Sequence, residues 1–118
     1  MDENATTNPE DMLIVLCTCP IADGDSESVA KTLARGLIEK KLAACVNIMP
    51  PMSSIYSWQG EIHEDNEQLL IIKTTRTRYP QLEVELRQAH PYELPEIIAV
   101  PLSQGLPEYL SWVTESVS

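Results

Sequence analysis

Met12-Leu13-Ile14-Val15-Leu16-Cys17 is an unbroken apolar, β-prone run, too short for a core helix and bounded by Pro20. Such a run reads as a strand with both faces out of water, because side chains alternate across the sheet and neither parity here is polar. Ile97 to Leu102 and Leu69-Leu70-Ile71-Ile72 repeat the pattern. A chain of 118 residues, near the modal domain size, allows one domain with one core. Three two-sided strands in so small a domain demand cover on both sides of the sheet.

Helices supply part of that cover. After a turn at Ala22-Asp23-Gly24-Asp25, with Asp25 or Ser26 as cap, Val29, Leu33 and Leu37 beside Ala30, Ala34 and Ile38 form a helical stripe. Glu27, Lys31, Arg35 and Glu39 line its opposite face. Gly36 weakens this helix by about 1 kcal/mol relative to Ala, which points to a backbone packed close against it. Tyr79, Leu82, Leu86 and Ala89 mark a second helix, with Pro80 in its first turn and Pro91 stopping it. Between the helices, Ala44–Met49 is a strand broken at Pro50-Pro51. It resumes through Ile55-Tyr56-Ser57-Trp58, turns at Gln59-Gly60 and returns as a long hairpin partner from Ile62 to Thr75. Gly105 and Pro107 introduce a terminal helix carrying Tyr109, Leu110, Trp112 and Val113.

The order βαββαβ plus a C-terminal helix specifies an α+β fold, the ferredoxin-like antiparallel sheet with helices on one face. The other face is then left apolar, and association through the sheets is the natural way to cover it. Tyr56 and Trp58 are the candidate interface anchors. Residues 1–11, with Asp2, Glu3, Glu10 and Asp11 and no aliphatic larger than Ala5, read as a disordered acidic tail; 12–118 form the single domain.

Charge and cysteine content narrow the function. Eight basic against 18 acidic side chains give a net charge of −10, which disfavours nucleic acid and anionic membrane and favours cations. No run approaches a membrane span, and Met1-Asp2-Glu3-Asn4 is acidic where a secretory signal is basic. Three cysteines suit free thiols in a reducing cytoplasm better than a disulfide framework.

Three groups of residues bear chemistry. Cys17 and Cys19 lie two apart on a strand and share a face, where two thiolates suit a soft ion such as Cu(I) or Zn(II); two buried core thiols are the plainer reading. His90, before Pro91-Tyr92-Glu93-Leu94-Pro95-Glu96, is a metal ligand or general base, or else a cap for the last helical carbonyls. Glu61, His63, Asp65 and Glu67 share one strand face, either as a loose divalent-cation site or as a solvated strand end. There is no Gly-x-Ser-x-Gly, Walker or dinucleotide-binding motif, and Cys-x-Cys lacks the redox Cys-x-x-Cys spacing, so no enzyme is expected.

Several strings resemble the CutA family of divalent-cation-tolerance proteins. They are Leu16-Cys17-Thr18, Glu39-Lys40-Lys41-Leu42-Ala43-Ala44-Cys45-Val46-Asn47, Ile55-Tyr56-Ser57-Trp58-Gln59-Gly60, Ile72-Lys73-Thr74-Thr75, His90-Pro91-Tyr92-Glu93-Leu94-Pro95-Glu96-Ile97 and Tyr109-Leu110-Ser111-Trp112. The resemblance covers residues 12–118 and implies a PII-like homotrimer that binds copper or other divalent metals in metal-ion tolerance. It also implies ligation by the first-strand cysteine, here Cys17, and by a histidine pair before Pro-Tyr, of which His90 is the second and Ala89 replaces the first. Cys19 is an extra soft donor that compensates for Ala89. A PII-like sensor or scaffold, with subunit clefts lined by hairpin residues and Lys73, is the alternative role.

Overall fold

One strand organises the sheet. In the computed structural model, which describes residues 8–21 and 28–118, β4 (Glu61–Thr75) is 15 residues long. Along its length it pairs antiparallel with β1 (Met12–Pro20), β2 (Cys45–Ile48) and β3 (Met52–Trp58). β2 takes the stretch Leu70–Lys73 and β3 the stretch Glu61–Glu67, so Pro50-Pro51 splits one edge into two short strands serving different parts of β4. β5 (Ile97–Pro101) joins the far side of β1, giving the order β2-β4-β1-β5 with β3 also on β4. With α1 (Val29–Glu39) and α2 (Tyr79–Ala89) as crossovers and α3 (Pro107–Ser116) at the end, this is the expected ferredoxin-like α+β arrangement.

Alternation then divides the sheet. Leu13, Val15, Cys17 and Cys19 of β1 join Leu70 and Ile72 of β4 in the main core, under Ala30, Leu33 and Leu37 of α1 and Leu82 and Leu86 of α2. The opposite parity, Ile14, Leu16, Leu69 and Ile71, stays only partly buried. Its neighbours on β5, Ile98 opposite Leu16 and Val100 opposite Ile14, are 52% and 51% exposed. α3 closes one end of this second face, where Leu110 and Val113 pack on Met12. An apolar face on a central strand pair, left half-open in the single chain, is what the continuous strand runs foretold.

Local signals set the joints. Gln59 (φ 52°) and Gly60 (φ 81°) both take left-handed backbone, the two-residue turn whose twist suits a hairpin. α1 begins at Ser28, whose hydroxyl accepts the Lys31 N–H at 3.2 Å. The expected turn and cap at 22–26, and Glu27 with them, lie outside the described residues. At its other end Lys41 adopts a left-handed conformation (φ 56°), and the Lys41 and Leu42 amides bond the Ile38 and Leu37 carbonyls at 3.1 and 2.9 Å. This paired pattern turns Leu42 into the core, where the buried Thr74 hydroxyl holds its carbonyl at 2.6 Å.

Two expectations are adjusted. The ordered fold takes in Pro9–Asp11, a 3-10 turn tied to the turn between β4 and α2: the Arg76 amide donates to the Asp11 carbonyl and its guanidinium to the Glu10 carbonyl. Residues 1–7 of the expected tail lie outside the described residues. Gly36 is not in close contact, for a Cβ built there meets nothing within 4 Å. With that room, Gly36→Ala removes only the backbone-entropy penalty of glycine in a helix. The variant is expected to be more stable by about 0.5–1 kcal/mol in urea unfolding; a loss of stability instead would show that another molecule packs against Gly36.

Candidate functional site

β1 carries Cys17 and Cys19 on its core-facing side, and both are fully buried. Their sulfurs lie 3.8 Å from backbone carbonyls, Cys17 from Thr18 and Cys19 from Gln68. Burial is the main reason the thiols hold their protons. It raises Cys17 to about 12, helped by the charges of Cys19, Glu96 and Glu67, and Cys19 to about 11, helped by Glu67. The third cysteine, Cys45 on β2, is half-buried, with the Lys73 ammonium 4.0 Å from its sulfur.

His90 stands where α2 stops, its amide closing the helix on the Leu86 carbonyl at 2.9 Å. Its ring does not cap that helix. Instead Nε2 lies 2.7 Å from the carbonyl oxygen of Thr18, the residue between the two cysteines, and Nδ1 accepts the Tyr92 amide at 3.1 Å. An Nδ1 that accepts and a carbonyl that must be given a proton fix the neutral Nε2–H tautomer. The imidazole is almost wholly buried, and the Tyr92 ring lies 4.9 Å away. Pro91 ends the helix so that Tyr92 turns back over the sheet, where its hydroxyl donates to Glu67 Oε2 at 2.8 Å. A chain of contacts therefore runs Thr18–His90–Tyr92–Glu67 and ties β1 to the 91–96 loop and to β4.

Sequence reasoning undervalued Glu67. Grouped with the charged hairpin tip, it is in fact 7% exposed, because it pairs with Pro20 on one side and Met52 on the other, where β1 and β3 both meet β4. The available signal was its parity, which continues the apolar line of Leu69 and Ile71. His63 stacks on Tyr56 with ring centres 5.5 Å apart, Asp65 accepts the Tyr56 hydroxyl, and Glu61 is exposed at the tip opposite Trp58.

Beside this chain of contacts lies a cavity of about 540 Å³ between the β3–β4 hairpin and the 91–96 loop. Tyr56, Trp58 and Tyr92 wall it together with Asp65, Glu67 and Glu96. Both tyrosines are kept protonated. Burial and then the bond to Glu67 hold Tyr92 above its ordinary value, and the bond to Asp65 does the same for Tyr56. Among the described residues, no group of three or more His, Cys, Asp or Glu is placed to hold a metal ion. Of the expected donors, Cys17 and Cys19 lie on β1 and His90, at the end of α2, contacts the carbonyl between them, and the three do not form a ready three-ligand site.

Against this geometry the comparisons are specific. The family model described as CutA1 divalent ion tolerance protein matches residues 13–116. The divalent-cation tolerance protein CutA of Thermus thermophilus is 50% identical over 103 residues, covering 87% of this chain and 95% of that protein. Mouse protein CutA is 49% identical over 113 residues, 93% of this chain but 61% of that longer protein. A solved structure of the Thermus thermophilus divalent cation tolerance protein superposes with a TM-score of 0.82 at 48% identity, covering 89% of this chain and 97% of that one. The fold is that of the metal-tolerance proteins. The chain belongs to the CutA1 divalent ion tolerance family.

The buried thiols make stability depend on alkaline pH. The folded values of about 12 and 11 stand above the ordinary 9.0, so their contribution is complete below pH 9.0 and is lost as pH rises toward the folded values. Each thiol contributes a slope of about 1.4 kcal/mol per pH unit in that window. Urea midpoints under reducing conditions are expected to fall from pH 9.0 upward, and to fall less steeply in Cys17→Ala. Equal slopes in the two proteins would mean that Cys17 ionises as readily folded as unfolded.

Proposed function

We propose that this chain acts as a homotrimeric, cytoplasmic protein of metal-ion tolerance that binds copper, and other divalent metals in competition, without turnover. Family membership supplies the class of function. The observation that supports the site is the 2.7 Å contact of His90 Nε2 with the Thr18 carbonyl, which brings an imidazole to the strand residue lying between Cys17 and Cys19. The partly exposed face of Ile14, Leu16, Ile71, Ile98 and Val100 supports the assembly, since apolar strands of this kind are ordinarily covered. Three unpaired thiols support a reducing compartment. No helix among the described residues is long and apolar enough to cross a membrane.

Capture at these donors has a definite chemistry. A thiolate, not a thiol, ligates, so a soft cation must displace protons that burial holds tightly. His90 must surrender its bond to Thr18 before Nε2 can act as a ligand. Affinity therefore rises with pH, and binding releases protons. Titration with Zn(II), and with copper under reducing conditions, is expected to show affinity reduced by about tenfold or more in Cys17→Ser, Cys19→Ser and His90→Ala, since even supporting partners of a ligand matter on that scale. Unchanged affinity in all three would remove the site.

A second reading is favoured by the cavity itself: a PII-like trimeric sensor whose cleft takes a small molecule. Its volume falls in the range of small-molecule sites.

A further inference from the structure

We infer that Lys73 of one subunit pairs with the carboxylates of the next subunit, in the cavity between its β3–β4 hairpin and its 91–96 loop. The acidic site is then completed by a second copy of the chain. This rests on the homotrimer proposed above and names the contact that fixes how its subunits align.

The division of charge along one face is the first ground. On β4, Asp65, Glu67, Leu69, Ile71 and Lys73 share the side of the sheet away from the helices, since the intervening Leu70 and Ile72 belong to the main core. Among the described residues Lys73 is the only Lys or Arg on any strand. Its ammonium donates to Asn47 Oδ1 and lies 4.0 Å from Cys45 Sγ, with no carboxylate beside it. Toward the hairpin the balance reverses: Asp65, Glu67, Glu93 and Glu96 line the cavity, and no Lys or Arg does. The Tyr56 and Tyr92 hydroxyls bond Asp65 and Glu67, yet a neutral donor cancels no charge.

Burial is the second ground. Glu67 is 7% exposed and Lys73 half-buried before another copy is added. Covering this face takes the remaining water from both, and a buried charge without an opposite partner is strongly unfavourable. Within one chain the two cannot meet. They stand six residues apart on an unbroken strand, opposite Pro20 and Ile14 at the two ends of β1, a separation of about 20 Å. Between copies they can. A closed ring of three uses a heterologous contact, in which one patch meets a different patch of its neighbour. The cationic end of each sheet then meets the acidic end of the next, three times over. The cavity walls suit a lysine: Tyr56 and Trp58, the residues assigned to contact between copies, and Tyr92 offer aromatic surface to its alkyl stem and ammonium.

Charge exchange in the full-length protein tests the contact, read by sedimentation velocity at low micromolar concentration and by the thermal midpoint. Lys73→Glu and Glu96→Lys are each expected to weaken association by about tenfold or more, the scale of removing one partner from a buried charge pair. Combining Lys73→Glu with Glu96→Lys should recover most of that loss, because opposite charges face each other again. A second measurement needs no variant. Carbodiimide joins an amine only to a carboxylate in contact with it, so the unaltered protein is expected to yield covalent dimers on a denaturing gel. Their linked peptides should connect Lys73 to Asp65, Glu67, Glu93 or Glu96. A wild-type trimer that withstands both single exchanges, or single losses that the double exchange does not recover, would overturn the pairing and leave the assembly standing. So would covalent dimers linked only through other lysines. A wild-type protein sedimenting at 13.2 kDa would overturn both.

Discussion

The shared use of β4 is the constraint on which the rest of the molecule depends. Three of the other four strands pair with it, and its 15 residues cross from core to hairpin without a break. Because side chains alternate along a strand, this one element sends Leu70, Ile72 and Thr74 beneath the helices and Leu69 and Ile71 to the other side. The same parity carries Glu67 into the site. Fold, open face and acidic cleft are thus three consequences of one register. A slip of one residue would reverse all of them together.

That register also explains why the site sits where it does. β1 and β3 both lie against β4 near Glu67, so the carboxylate is enclosed by backbone from two directions. The 91–96 loop, aimed by Pro91 and Pro95, brings Tyr92 down on it. Behind that contact His90 holds the β1 carbonyl between two thiols that burial keeps protonated. The thiols of Cys17 and Cys19 lie on the core side of β1, and the Asp65 and Glu67 carboxylates lie on the opposite face of the sheet. A soft cation meeting the thiols must displace protons, and His90 must break its bond to Thr18 before its Nε2 can ligate.

Much of this was legible from the sequence where local pattern decides structure. The helical stripes, the Pro50-Pro51 break, the Gln59-Gly60 turn and the stop at Pro91 all act over a few residues, and the structure shows each of them, except that Ile38 and Ala89 of the stripes are exposed. The family strings likewise pointed to the metal-tolerance class. What local pattern does not carry is tertiary pairing. Glu67 resembles its neighbours on the charged hairpin until two strands are laid against it, and His90 reads equally as ligand, base or helix cap until its ring is found on a carbonyl 72 residues away. Gly36 invited a close-contact reading because glycine in a helix asks for a reason, and the single chain provides none.

The central claim is that the second face of the sheet, where Ile14, Leu16, Leu69, Ile71, Ile98 and Val100 lie, is kept from water by other copies of the same chain. Burying a face of this kind is the largest favourable contribution open to so small a domain. Sedimentation equilibrium at low micromolar concentration tests it directly. The account predicts a single species of about 40 kDa, three protomers of 13.2 kDa each, that does not dissociate before it unfolds. A well-folded species at 13.2 kDa would contradict it.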